Sequence, residues 1–211
     1  MPALWHEVRY QRRQMSKSLP RPACEGMSRK ETTDLLDSEL VRLVLTKRNA
    51  YSYWAHEVWL DRYTDHEKRV DFMEFVPKGG PTYSDVAHIE HGTFSFYEVK
   101  SCMADLKSGH GLSFEGDENW LVMPVEMFEP YKRAKVDDDY VQGRTRLARC
   151  MLYGIGKNGK PTFWEQPKLY VNEWACRSRS ASELLFCMMR AMIANSDHSC
   201  VDHNVRQPHE H

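Results

Sequence analysis

Residues 93–108 read TFSFYEVKSCMADLKS, and the fold turns on how this stretch is read. Its first half alternates with the strand period of two, so Phe94, Phe96, Glu98 and Lys100 share one face. An exposed face would be polar throughout. Here two phenylalanines lead into a carboxylate and an amine, which places the charged pair where a buried face meets the end of a sheet. Burying either charge alone is costly, so each needs a partner. From Ser101 the composition becomes helical, and a short helix is expected over 101–108, directly after a strand over 93–100.

Upstream, Lys68–Val76 (KRVDFMEFV) is apolar on both sides of its middle, as a central strand is, and it carries Asp71. Tyr53–Leu60 is rich in aromatic and β-branched residues and reads as another strand. Residues 33–48 form an amphipathic helix, capped by Thr33 or Asp34. Its stripe is Leu36, Leu40, Leu43 and Val44, and Lys47 and Arg48 suit its C-terminal end. PKGGPTYSD (77–85) reads as a loop. Downstream, Asn119–Met123 is a strand closed by Pro124. Leu147–Ile155 and Thr162–Trp164 form a hairpin about Asn158-Gly159, both expected at positive φ. A last helix over 181–194 has a Ser180/Glu183 capping box. Leu184, Met188, Ala191 and Met192 make its stripe, and Met188, Met189 and Met192 read as core. This order gives an α/β fold, a small mixed β-sheet flanked by helices.

The surrounding composition limits the function classes. The chain has 211 residues, 41% hydrophobic and 28% charged, an ordinary globular balance. No stretch approaches the roughly 20 apolar residues of a membrane span, and no apolar segment follows the charged N-terminus, so the expected location is cytoplasmic. A net charge of −1 excludes a wholesale basic coat. Residues 1–30 nevertheless carry seven Lys/Arg against two acids, enough to sit on phosphates. The expected organisation is a partly ordered basic leader over 1–31, one domain over 32–195 and a flexible His-rich tail over 196–211. None of the six cysteines forms a CxxC pair, so free thiols are expected. Walker A, GxGxxG and GxSxG signatures are also missing.

Asp71, Glu98 and Lys100 can therefore converge at one end of the sheet. Two carboxylates a few ångströms apart repel, and a divalent cation relieves the repulsion. Oxygen ligands with open positions suit Mg²⁺ or Mn²⁺. A lysine beside them can orient a water or hold negative charge on a phosphate.

Asp71 followed by Glu98-Val99-Lys100 resembles the D…(D/E)-x-K signature of the PD-(D/E)XK (restriction-endonuclease-like) nuclease superfamily. The capped helix, the strand with Glu57, the strand with Arg69-Val-Asp71, the EVKSCMADLKS step and the NWLVMP strand follow that superfamily's core order over about residues 33–130. EVKSCMADLKS and a strand ending in proline are most similar to its MmcB-like DNA-repair proteins. The resemblance implies a restriction-endonuclease-like sheet and a metal-dependent nuclease hydrolysing DNA, with RNA the lesser alternative, in repair, recombination or mobile-element or phage DNA processing. It implies that Asp71, Glu98 and the Val99 carbonyl hold the metal and that Lys100 positions the attacking water. A further acidic ligand would be Glu39 or Glu57. Ser101, Asp105 and Lys107 would shape the site or touch substrate, and a homodimer is allowed. Val70 stands where the pattern has proline. The 27-residue separation from Asp71 to Glu98 needs a large loop; if it hides an element, Asp85 or Glu90 would be the acidic partner. The competing reading is a catalytically inactive nuclease-like fold used as a nucleic-acid-binding or interaction module.

Weaker constellations remain. His198, Cys200, His203, His209 and His211 form a soft-metal-type tail. His88 and His91 flank Glu90 before the third strand. Lys132, Arg133, Lys135, Arg144, Arg146 and Arg149 form a second basic cluster.

Overall fold

The computed structural model describes residues 19–46, 52–79, 85–166 and 177–200, with 196–200 described by backbone alone. The architecture is mixed α/β, an open six-stranded sheet flanked by helices. Among the described residues no helix is long and apolar enough to cross a membrane.

The strands lie in chain order: β1 (Tyr53–Leu60), β2 (Lys68–Val76), β3 (Thr93–Val99), β4 (Glu118–Pro124), β5 (Arg149–Ile155) and β6 (Pro161–Gln166). β1, β2 and β3 run antiparallel, β3–β4 and β4–β5 are parallel, and β5–β6 is an antiparallel hairpin. Parallel neighbours need a crossover. The first is made by α3 (Met103–Ser108), which follows β3 as its sequence predicts. The second is made by α4 (Phe128–Asp137) and α5 (Asp139–Thr145), two helices that the charge-rich sequence over 125–145 did not announce. The loop after β2 holds α2 (Val86–Glu90), started by the Asp85 side chain, which accepts the His88 N–H at 2.9 Å.

α1 (Arg29–Leu40) begins earlier than its apolar stripe indicates. Thr33 and Asp34 are not its cap. Ser28 is, in a capping box: Glu31 N–H donates to Ser28 Oγ, and Ser28 N–H donates to Glu31 Oε2 at 2.8 Å. Leu36, Leu40 and Val44 are buried as expected. The end differs, because Val41–Leu45 widens into a π-helical turn that buries Leu45 as well. Lys47 and Arg48 lie outside the described residues.

Two layers cover the sheet. On one face α1 packs with Phe72, Tyr97, Val99, Trp120, Val122 and Met151. On the other, α6 (Ala181–Cys200) covers Val58, Val70, Met73, Phe94 and Phe96, and α3 to α5 cover Leu121, Met123, Cys150 and Leu152. Ala181, Leu184, Met188 and Ala191 are the buried face of α6. Met192 and Met189 are half-exposed rather than core, because a helix on one sheet face buries a single stripe. Only half of its capping box forms: Glu183 N–H donates to Ser180 Oγ, while the Glu183 carboxylate is drawn to Arg179.

Two further expectations change. In the β5–β6 turn only Gly159 has positive φ (+74), and Gly156 N–H closes the loop on the Lys160 carbonyl. The extra residue makes the turn wider than a two-residue hairpin. At the start of the described chain, Arg21 pairs with Ile155 and Glu126 Oε1 accepts the Ala23 and Cys24 N–H groups. This ties the end of the basic leader to the body. Residues 1–18 and 201–211 lie outside the described residues, with Arg9, Arg12, Arg13 and Lys17 of the leader and most of the His-rich tail.

Candidate active site

β2 and β3 pair from Val76↔Thr93 as far as Phe72↔Tyr97 and then part. The next facing residues are Asp71 and Glu98. Where the ladder opens, Asp71 Oδ2 accepts the Val99 N–H at 2.8 Å. On the other side of β2, the pairs His56↔Phe72 and Val58↔Val70 bracket Glu57 and Asp71, which make no pair of their own. Glu57 has φ +52, a left-handed conformation uncommon for such a residue. The inside–outside alternation slips by one residue here: Ala55 and Val58 both face α6, as do Val70 and Met73. Glu57, Asp71 and Glu98 thus stand at one level across three strands, at a kink that re-aims side chains as a bulge does.

Glu98 is fully buried. Its Oε1 accepts the Ser113 hydroxyl at 2.7 Å and the Ser113 N–H at 3.4 Å. Its Oε2 is buried without a hydrogen-bond partner. Lys100 is 5% exposed and donates from Nζ to the His110 carbonyl at 2.8 Å. The 109–113 loop supplies both contacts and passes the site at Gly111, where φ is +66. A Cβ there would lie 3.0 Å from Glu98 Oε2 and 3.4 Å from Lys100 Nζ. Glycine therefore leaves an open cradle between the orphan carboxylate oxygen and the amine.

The electrostatics are those of crowded acids. Burial pushes the Asp71 carboxyl up and Asp105 adds to this; the Val99 N–H, Lys100 and Arg69 offset it only in part. Burial, then the charge of Asp71, raises Glu98 well above the ordinary carboxylate range, against the opposing pull of Ser113 and Lys100. Two such acids titrate as a pair and retain a proton unless a cation replaces it.

Sequence reasoning missed a third acid, Asp37 on α1. Its Oδ1 is buried without a partner. Burial and the charges of Asp71, Asp34 and Glu57 push its carboxyl up to about 7. The available signal was Asp37 standing directly beside Leu36 of the buried stripe. The sequence reading offered Glu39 or Glu57, and on α1 the structure turns Glu39 elsewhere: both its oxygens are taken by Arg42, and Glu39 lies near Tyr153. Glu57 is half-exposed and pairs with Arg69 at 3.2 Å, within electrostatic reach of Asp37.

The remaining candidates divide. The Ser101 hydroxyl is buried without a partner. Asp105 accepts from Arg29 at 2.7 Å and its charge reaches Asp71. Lys107 lies 3.6 Å from Asp138 and lines a groove with Met103 and Arg133 that Asp71 and Glu98 do not share. Asp85 and Glu90 are not the acidic partner: Asp85 holds His88, and Glu90 Oε2 accepts the Ala181 N–H. The second basic cluster disperses. Lys135 is buried against Tyr131 and the Thr145 carbonyl, Lys132 pairs with Glu129, and Arg149 lies over Trp120.

Among the described residues no group of three or more His, Cys, Asp or Glu side chains stands close enough to hold a metal ion by itself. The site nevertheless suits one hard cation. Mg²⁺ characteristically takes one or two carboxylates and keeps several waters. The site offers two facing carboxylates, an orphan oxygen and an open cradle.

No family model, characterised protein or solved structure matches this chain.

Proposed function

We propose that the chain is a Mg²⁺- or Mn²⁺-dependent nuclease of the PD-(D/E)XK type that hydrolyses DNA phosphodiester bonds, with RNA the lesser alternative. It would serve DNA repair, recombination or mobile-element or phage DNA processing in the cytoplasm, as a monomer or homodimer. The observation that carries this reading is the Asp71–Glu98 pair, partly and fully buried in turn, with Lys100 beside the unpartnered Glu98 Oε2.

Asp71 and Glu98, with the Val99 carbonyl, would hold the metal, and the charge of Asp37 on α1 would add to the field around it. When bound, the ion supplies Lewis-acid activation of water and charge stabilisation at phosphate. The chain does the positioning. The Val99 N–H fixes Asp71, Ser113 fixes Glu98 Oε1, and the His110 carbonyl holds the Lys100 ammonium at the cradle. There Lys100 orients the attacking water and offsets negative charge on the phosphate oxygens. The attacking water gives up a proton to solvent as its oxygen bonds to phosphorus, and the leaving oxygen takes one from solvent as its bond to phosphorus breaks.

The test is cleavage of labelled single- and double-stranded DNA in Mn²⁺, Mg²⁺ or EDTA. Metal-dependent cleavage that is lost in Asp71→Asn and Glu98→Gln supports the reading. Cleavage persisting in both variants refutes it.

A further inference from the structure

A second constellation lies beside the carboxylates, where the β1–β2 turn meets α6. Arg62 stacks over Trp59 and Tyr63, with its guanidinium 5.7 and 5.1 Å from the ring centres. Arg69 lies 5.8 Å from the Trp59 ring centre, and Arg190 5.9 Å from that of Phe186. Tyr63 is 80% exposed. The turn that presents it is fixed: Asp61 and Tyr63 have φ +49 and +72, Tyr63 N–H donates to Glu67 Oε2 at 2.9 Å, and Arg179 grips Asp61. Left-handed conformations at non-glycine residues persist where surrounding contacts hold them.

A groove of about 190 Å³ runs between β1 and α6, lined by Glu57, Trp59, Arg62, Arg190 and Asn195 among others. It is smaller than the roughly 300 Å³ of ordinary small-molecule pockets. Its chemistry is that of an anion carrying flat rings. Among the described residues Arg62 and Arg190 form no ion pair with a carboxylate, while the groove's acid, Glu57, is neutralised by Arg69 at 3.2 Å. A guanidinium stacked on an aromatic ring keeps its edge donors for phosphate. An exposed tyrosine offers its face to an unpaired base, which a duplex would keep stacked inside.

We infer that this groove binds single-stranded nucleic acid, with a base on Tyr63 or Trp59 and backbone phosphates on Arg62 and Arg190. Glu57 lines it and stands across from Asp71, so a bound strand would pass toward the carboxylates. That last step rests on the nuclease reading; the groove's affinity does not.

Fluorescence anisotropy tests it in EDTA, where no cleavage intervenes, with labelled oligodeoxythymidine, oligouridine and a hairpin duplex. The variants are Arg62→Glu/Arg190→Glu and Tyr63→Ala, all at exposed side chains, with retained folding checked by thermal melting. The wild type should bind a single strand more tightly than the duplex. Charge reversal should weaken this about tenfold or more and flatten its salt dependence, and Tyr63→Ala should weaken it about fivefold. The two oligonucleotides, compared side by side, assign the strand to DNA or to RNA. Unchanged affinity in the double variant, or tighter binding of the duplex, overturns the inference. A wild type that binds single strands through these residues but never cleaves in Mn²⁺ refutes only the nuclease reading. Cleavage with strand affinity indifferent to the groove variants refutes only the groove.

Discussion

Asp37 feels the charge of Asp71 and Gly111 passes against Glu98, and neither was read from the sequence as part of the site. Glu98 and Lys100 were legible because a strand's period of two projects them from the Phe94–Phe96 face. Asp37 was not, because choosing among the acids of one helix requires the helix's rotation against the sheet. Its titration gives a direct consequence. Asp37 rises from 3.8 to about 7 on folding, so between those values the folded state binds the extra proton and the unfolded chain does not. Stability of the metal-free protein should therefore fall as pH rises through that window. Asp37→Asn should flatten the profile and raise the melting temperature above pH 7 in EDTA. A melting profile identical to the wild type would contradict this account of Asp37. Gly111→Ala meets positive φ, at a cost of about 1 kcal/mol, and crowds Glu98 Oε2. It should also abolish the melting-temperature increase expected of the wild type in Mn²⁺, which differential scanning fluorimetry would show.

Elements announced themselves unevenly. β1 and β2 have the predicted limits, since aromatic and β-branched runs end at clear turn signals. α4 and α5 were hidden by mixed charge: Phe128, Tyr131, Val141 and Thr145 are their buried positions, too few and too widely spaced to outweigh the lysines and aspartates around them. The start of α1 was misplaced because Ser28 and Glu31 act through the backbone rather than through an apolar stripe. Ser28→Ala removes the capping box and should cost about 1 kcal/mol in urea unfolding. Because α1 carries Asp37, the same substitution should weaken Mn²⁺ binding measured by calorimetry, whereas Thr33→Ala should leave it unchanged. The kink at Glu57 and Asp71 also escaped a reading by strict alternation, and it is what turns Asp71 toward the Val99 N–H.

Across the whole molecule, one long-range clamp holds α6 against the sheet. Arg179 joins Asp61 after β1, Glu115 before β4 and Glu183 on α6, and Arg177 reaches Asp117 and the Gly92 carbonyl. These partners are far apart in sequence, so charge patterning along the chain could not reveal them. Arg179 is largely enclosed, and Arg179→Ala leaves Asp61 and Glu115 without their shared partner. It should cost about 2 kcal/mol in denaturant unfolding, with the loss shrinking at high salt. The central claim concerns the carboxylate site, where fixed acids and a lysine are proposed to bind metal and cut nucleic acid as separable tasks. The most direct measurement follows Mn²⁺-dependent DNA cleavage and Mn²⁺-dependent thermal stabilisation together in wild type, Lys100→Ala and Glu98→Gln. The account predicts that the wild type shows both, that Lys100→Ala keeps the stabilisation while cleavage falls about a hundredfold or more, and that Glu98→Gln loses both. Cleavage undiminished in Lys100→Ala, or a wild type that neither binds Mn²⁺ nor cuts DNA, would contradict it.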